Sequence, residues 1–283
     1  MTNAVQRVVV HGGGIAAAMA ALAVSRAFAR LGTDIVWIDT GEEPAPHAAL
    51  IAPPDLSTFH RLLGIDEATL VAGAAATINM GQQFAGWSGG DGAFLHAFGD
   101  AGSAFASLPF VQHWTRARAA GLGVALEDFC LAAAAAKQGR TAFPRESATR
   151  QAVKQGWHLD AAGYARLLRA ACERGDIRIV SGAGAAVRTN GGRVDRIDLA
   201  GGERLDADLL IDADGALIGA LDPDGTAARP GFCDRLIRGS APAFDPLPLF
   251  GRAAAHPAGW LAMIPLADRT AIEFAYDSRL LAD

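Results

Sequence analysis

Cysteine is scarce in this chain of 283 residues, which contains only Cys130, Cys172 and Cys233. Their spacing includes no CxxC pair, so the sequence encodes neither a disulfide framework nor a cysteine zinc site. The seven histidines include no HxH, HxxxH or HExxH spacing, and we therefore predict no metal site. Such cysteine usage is typical of the reducing cytoplasm, where we expect the protein to reside.

Excess basic charge and long apolar runs are also lacking. The 25 Lys and Arg residues face 30 Asp and Glu residues, and no basic stripe could neutralise the phosphates of a nucleic acid, so we expect no such partner. The Ala-rich stretch after Arg7 loosely imitates a secretory signal, but three glycines interrupt it. It reaches Arg26 before the roughly 20 apolar residues of a membrane span, so no membrane segment is expected.

Apolar and small residues are abundant. Hydrophobic residues make up 51% of the chain, and 33 glycines are spread along it, which is typical of a compact globular protein with one large domain or two small ones. The start of the chain has the pattern of a βαβ unit, with a strand at 7–11, a helix at 15–31 and a strand at 35–38. We therefore expect the second strand to lie parallel to the first.

The glycine turn of this unit fits the dinucleotide-binding pattern GxGxxG/A, because residues 12–17 read GGGIAA. Gly12 permits a tight turn, Gly14 lets a pyrophosphate approach the positive end of the helix, and Ala17 is small enough for close helix packing. Asp39 follows 22 residues after Ala17, where a carboxylate accepts hydrogen bonds from a ribose. A dinucleotide site is predicted, with a purely structural turn as the alternative.

A serine esterase is a competing hypothesis for the same region. Residues 11–14 (HGGG) match an oxyanion loop and residues 86–90 (GWSGG) match a nucleophile elbow, while Asp222 or Asp224 and then His256 would complete a triad. However, glycines follow Ser88 where a helix should begin, and the oxyanion loop follows the first strand instead of the third. This hypothesis therefore ranks third.

Further helices and strands are predicted downstream. Helices are expected at 55–63, at 110–120 and from Asp160 to Arg174, and strands at 77–87, 93–98, 177–180, 260–265 and 270–276. Short runs at 185–188, 194–199 and 207–212, separated by glycine turns, predict a β-meander. The Ala-rich stretch 131–144 gives no clear pattern, and 221–231 is predicted as a loop.

Several motifs occur in a characteristic order. The last predicted meander strand runs through ADLLIDADG at 207–215, WHLD at 157–160 opens the preceding helix, HAFG lies at 96–99 and GWLAMIP at 259–265. In order and spacing they resemble the flavin-dependent tryptophan halogenase family. The resemblance implies an α/β fold, with an FAD-binding Rossmann-type domain, an antiparallel meander and an inserted substrate-facing β segment. We expect one domain over 1–283, the insertion at about 66–150, and the family's C-terminal region to be absent.

The resemblance also implies a chemistry. In the family, reduced FAD from a separate flavin reductase reacts with oxygen and halide, and hypohalous acid then reaches a small aromatic substrate such as an indole. His96 and Phe98 match the aromatic pair that stacks on the substrate, with ordinary strand and core roles as the alternative. The implied cofactor-binding residues are Gly12, Gly13, Gly14, Ile15, Ala17, Asp39, Gly184, Asp212 and Gly215.

The chain departs from the family pattern at important positions. Asn79 stands where the family has its catalytic lysine, and an amide cannot be protonated to hold an electrophilic halogen as an ammonium could. Residues 48–51 (AALI) replace a GEAT-like flavin loop, and Ala262 replaces the second tryptophan of a WxWxIP motif. The chain thus resembles a truncated and degenerate member. A non-catalytic flavin-binding or interaction protein is the alternative to an FAD-dependent, monooxygenase-type halogenase-like oxidoreductase.

Overall fold

The computed structural model describes residues 5–28, 30–141, 153–182, 185–190, 193–217 and 231–282. The α-helices are α1 (Gly14–Phe28), α2 (Leu56–Leu63), α3 (Glu67–Ala74), α4 (Phe110–Ala119), α5 (Leu131–Lys137) and α6 (Ala161–Arg174). The strands are β1 (Arg7–Gly12), β2 (Asp34–Asp39), β3 (Ala49–Ala52), β4 (Thr77–Asn79), β5 (Gly81–Ala85), β6 (Ala93–Ala97), β7 (Gly156–Asp160), β8 (Ile177–Ser181), β9 (Ala186–Asn190), β10 (Arg193–Asp198), β11 (Arg204–Leu205), β12 (Leu209–Asp212), β13 (Arg235–Pro242), β14 (Gly251–His256), β15 (Gly259–Pro265) and β16 (Arg269–Tyr276). A short 3-10 helix spans Leu126–Phe129.

The chain divides into two compact units. The first consists of Met1–Ala45 and Ala161–Pro230, and the second of Pro46–Asp160 and Gly231–Asp283. No helix of the described residues combines the length and the apolar character that crossing a membrane requires.

The first unit is built on a four-stranded parallel sheet in the order β12-β1-β2-β8. β1 and β2 pair from Arg7 opposite Asp34 to Gly12 opposite Asp39, which confirms their parallel arrangement. The β1 valines are fully buried, as parallel strands covered on both faces require. α1 packs on β1 and β2, and the three-stranded meander β11-β10-β9 packs on the sheet through a cluster that includes Val9, Val36 and Ile197.

Two predictions about local structure are wrong. Residues 207–212 do not close the meander: Leu209–Asp212 forms β12, which pairs in parallel with β1, and Arg204–Leu205 forms the last meander strand instead. The WHLD segment does not open a helix, because Trp157–Asp160 belongs to β7 and α6 begins only at Ala161. Both segments are apolar and short, so pairing with a distant strand decided their structure.

The second unit contains two sheets. One has the order β3-β7-β4 and is antiparallel, and the other has the order β13-β16-β15-β14-β5-β6, with β14 and β5 as its parallel pair. The first part of the unassigned Ala-rich stretch, Leu131–Lys137, forms α5, whose buried alanines pack with Met80 and Leu95 in a core cluster. Together with the first unit, these sheets make a mixed α/β fold with parallel and antiparallel sheets, which confirms the predicted fold class.

Candidate functional site

The glycine loop lies at the carboxyl edge of the parallel sheet in the first unit. β1 ends at Gly12 and α1 begins at Gly14, and both glycines have left-handed conformations, with φ of 134° and 62°. A Cβ on Gly13 would lie 2.6 Å from the Cβ of Glu42, so only glycine fits there. The first turn of α1 carries no acidic residue. Its N-terminal N–H groups, together with the helix dipole, therefore form a site that suits an anion.

The helix after the loop packs closely on the sheet. Ala17 is fully buried, and α1 packs on β1 and β2, which is the arrangement that a small residue at this position permits. Ile15 is half-buried. Gly184, the remaining glycine that the family resemblance implies, lies outside the described residues.

Asp39 ends β2 beside the loop, and each oxygen of its carboxylate has a partner within the first unit. Its Oδ1 accepts a hydrogen bond of 3.0 Å from the N–H of Gly41, and its Oδ2 pairs with the guanidinium of Arg169. This pairing raises the pKa of Arg169. The guanidinium also lies 5.5 Å from the ring centroid of Trp37, whose Nε1 donates to the carbonyl of Gly12. Asp39 and Arg169 line a cavity of about 520 Å³.

Arg169 was not identified from the sequence. It lies 130 positions from Asp39, in the middle of α6, where an arginine normally indicates only a solvated helix face. No pattern in the sequence links the two residues, because their contact depends on how α6 packs beside β2.

Three buried polar atoms cluster at the same edge of the sheet. Nδ1 of His11, Oγ1 of Thr40 and Oδ1 of Asp212 have no hydrogen-bond partner among the described residues. They belong to the last part of β1, the residue after β2 and the end of β12, and the carboxyl ends of parallel strands meet at one edge. Because buried polar groups are almost always paired, these three atoms are available to hydrogen-bond water or a polar ligand at the edge.

Hydrogen bonds from backbone N–H groups to two aspartate side chains hold the turn after β12. The N–H of Leu217 donates to Oδ2 of Asp212 and the N–H of Ala216 donates to Oδ1 of Asp214, both at 3.0 Å. Gly215 has a left-handed conformation, with φ of 76°, which this turn requires. Asp212 and Gly215 thus lie at the same sheet edge as the glycine loop.

Asn79 marks a second candidate site, in the second unit. Its side chain is fully buried at the end of β4, and its Oδ1 accepts a hydrogen bond of 2.9 Å from the N–H of Gly81. Its Nδ2 has no partner in the described part of the chain. The N–H of Phe98 donates to the carbonyl of Met80, and His96 pairs with Gln82 in the β5–β6 ladder. Asn79, His96 and Phe98 therefore lie on adjoining backbone segments, with His96 exposed and Phe98 half-buried.

His158 is a buried polar residue of the same unit to which the sequence assigned no separate role. It lies in β7 opposite Thr77, whose hydroxyl donates to the carbonyl of Pro265 at 2.6 Å. The hydroxyl oxygen lies 3.0 Å from Nδ1 of His158, so Nδ1 must be the donor of that hydrogen bond and Nε2 carries the lone pair. Nε2 has no partner among the described residues, and burial lowers the pKa of His158 to about 3.

The local structure does not support the esterase hypothesis. Ser88 lies in the exposed turn between β5 and β6, which are antiparallel, and a strand follows where a nucleophile elbow has a helix. His256 ends β14, where its Nδ1 accepts a hydrogen bond of 3.2 Å from the N–H of Ala258. Asp222 and Asp224 lie outside the described residues.

Comparison with known proteins decides the family. The sequence profile of the family described as tryptophan halogenase matches residues 7–283. This chain belongs to the tryptophan halogenase family. Its fold is similar to that of a flavin-dependent halogenase from Xanthomonas campestris, with a TM-score of 0.84 and 32% identity over 98% of this chain and 57% of the other. It is also similar to that of a flavin-dependent halogenase from Brevundimonas sp. BAL3, with a TM-score of 0.84 and 26% identity over 99% of this chain and 58% of the other.

A tryptophan 6-halogenase from Streptomyces toxytricini shares the fold at 19% identity, with a TM-score of 0.81 over 99% of this chain and 59% of the other. This tryptophan halogenase family member therefore spans somewhat more than half of the length of these relatives. Three of the four residues in place of the GEAT-like loop, 49–51, lie in β3, which pairs with β7, and Ala262 lies in β15.

Proposed function

We propose that this halogenase family member binds FAD at the glycine loop and acts as an FAD-dependent, halogenase-like oxidoreductase on an indole or another small aromatic molecule. The glycine loop carries the proposal, because left-handed Gly12 and Gly14 precede a helix without acidic residues in its first turn. The unpartnered buried hydroxyl of Thr40 at the same edge also fits a polar cofactor. A separate flavin reductase would supply the reduced form.

The residues of the first unit would hold the cofactor. The N–H groups at Gly13 and Gly14 would donate to its diphosphate at the positive end of α1. Each carboxylate oxygen of Asp39 keeps a free lone pair after its bonds to Gly41 and Arg169, so the side chain can still accept hydrogen bonds from a ribose. Asp212 and Gly215 would complete this edge. FAD, when bound in its reduced form, supplies the electrons for reaction with oxygen.

The residues of the second unit would handle the substrate. His96, near the end of β6, and Phe98, directly after that strand, would contact the flat face of an aromatic ring. The amide of Asn79 can orient a neighbouring polar molecule by donating through Nδ2, but it cannot supply an ammonium group.

One observation favours a second candidate, a non-catalytic flavin-binding protein derived from the family. Asn79 is fully buried and uses its carbonyl to cap the N–H of Gly81, which is a structural role. A chain with this residue in place of the lysine could keep the cofactor site without the reaction.

A titration of FAD with the full chain, followed by flavin fluorescence, tests cofactor binding. We expect saturable binding in the wild type and its loss in Gly14→Ala, because the added Cβ would hinder the diphosphate and would lie 3.2 Å from the carbonyl oxygen of Glu42. Gly32→Ala is the matched control, since Gly32 has a similar φ of 67° and open space around it. Equal FAD affinity in the two variants would remove the loop assignment.

An activity assay then separates the two candidates. The wild type is incubated with reduced FAD, oxygen, bromide and indole, and brominated product is sought by mass spectrometry. Product supports the oxidoreductase, whereas tight FAD binding without product supports the non-catalytic protein. Asn79→Lys should leave FAD affinity unchanged, because Asn79 belongs to the substrate side. Loss of FAD binding in a folded Asn79→Lys protein would contradict that placement.

A further inference from the structure

Three side chains with metal-ligating atoms converge at the edge of the parallel sheet. His11 comes from β1, Asp212 ends β12 and Asp214 lies in the turn that follows, and one ligand atom from each lies within 4.8 Å of the others. The sheet register imposes this convergence, because His11 lies directly opposite Asp212 in the parallel β1–β12 pair. About 200 residues of sequence separate His11 from the two aspartates, so no metal-binding spacing could reveal the group.

The two carboxylates are held in position by backbone donors. Oδ2 of Asp212 accepts from the N–H of Leu217, and Oδ1 of Asp214 accepts from the N–H of Ala216. One oxygen of each carboxylate is thereby oriented, as outer hydrogen bonds orient the ligands of metal sites. The other oxygen of Asp212, Oδ1, is buried and has no partner among the described residues.

His11 provides an independent indication of a ligand. Its side chain is only 7% exposed, and Nδ1 has no hydrogen-bond partner in the described part of the chain. A buried ring nitrogen without a partner is uncommon in folded proteins and calls for an explanation. A metal ion bound by a neutral imidazole would provide one, since imidazole is the commonest nitrogen ligand of metals in proteins.

We propose that His11, Asp212 and Asp214 bind one divalent transition-metal ion beside the glycine loop. An imidazole with two carboxylates suits Mn²⁺, Fe²⁺ or Zn²⁺ better than Mg²⁺ or Ca²⁺, which prefer sites made of oxygen alone. Three protein ligands also leave coordination positions open to water or to an anion. The site stands on these residues alone and does not depend on FAD binding.

The position of the ion would affect the charge around the loop. A Cβ on Gly12 would lie 3.1 Å from Oδ2 of Asp214, so this carboxylate lies directly against the loop backbone. The negative charges of Asp212 and Asp214 would weaken the attraction of the α1 N-terminus for an anionic group, and a bound dication would offset them.

Titration of the full chain with Mn²⁺, in the absence of flavin, tests the site through the electron paramagnetic resonance signal of the free ion. We expect one ion per chain, bound at least about tenfold more weakly by Asp214→Asn. Asp214 is exposed, so this variant should fold. Asp206→Asn, which removes another exposed carboxylate of the same unit, should bind as the wild type does.

Competition with other ions tests the metal class. Zn²⁺ should displace Mn²⁺ at lower concentration than Mg²⁺, because the affinity for Mg²⁺ lacks the contribution of the imidazole. His11→Gln should lose the preference for Zn²⁺ over Mg²⁺ while its circular dichroism stays that of the wild type. No saturable Mn²⁺ binding in the wild type, or equal weakening in Asp214→Asn and Asp206→Asn, would overturn the proposal.

Discussion

At the scale of single residues, burial controls the protonation of His158. The ring is fully buried, and its pKa is lowered from 6.5 to about 3 because the charged form is poorly solvated there. The folded protein therefore holds a neutral ring over a pH range in which the unfolded chain becomes protonated. A group with a lowered pKa of this kind contributes stability that is fully present above pH 6.5 and is lost as the pH falls toward 3.

We expect the free energy of unfolding to fall between pH 6 and pH 4, with His158 contributing up to about 1.4 kcal/mol per pH unit. The variant His158→Gln should show a correspondingly shallower pH dependence in urea unfolding. Identical slopes for the wild type and His158→Gln would contradict this account.

At the scale of secondary-structure elements, the β15–β16 hairpin depends on a glycine. Gly259 opens β15 opposite Tyr276, and a Cβ at this position would lie 1.9 Å from the carbonyl oxygen of Ala275. Gly239 lies in β13 of the same sheet, and a Cβ added there would meet no atom within 4 Å. Replacing Gly239 by alanine therefore makes the same substitution in the same sheet without the clash.

Gly259→Ala should lower the free energy of unfolding by about 1–3 kcal/mol, because the extra methyl group forces the two strands apart. Gly239→Ala should leave stability nearly unchanged. Urea denaturation at neutral pH measures both differences. If Gly239→Ala were as destabilising as Gly259→Ala, the loss would reflect glycine replacement in general and not the close approach of the strands.

Elements with a local signal could be predicted from the sequence, and those that depend on a distant partner could not. β1, α1 and β2 follow from an apolar run, a glycine loop and an Ala-rich helix, and the structure has all three within a few residues of their predicted bounds. β13 and β14 were missed because Gly, Ser and Ala dilute their strand pattern. They form because the neighbouring strands β16 and β15 supply the hydrogen-bond partners.

At the scale of the whole molecule, FAD should stabilise the folded chain by mass action if it binds only to that form. At a free concentration one hundred times its dissociation constant, the free energy of unfolding should rise by about 2.7 kcal/mol. Urea unfolding at increasing FAD concentration measures this rise, which should be logarithmic. In Gly14→Ala, the free energy of unfolding should not rise with FAD. If it did not rise in the wild type either, this would argue against a cofactor role for the loop.

The family resemblance, the α/β class and the glycine loop can be read from the sequence, because each motif and each strand or helix pattern involves residues close together along the chain. The folded structure adds the pairing of β12 with β1, the contact of Arg169 with Asp39 and the burial that lowers the pKa of His158. It also decided that His11 lies beside Asp212. These facts arise from packing between residues far apart in sequence, for which neither periodicity nor motif spacing carries a signal.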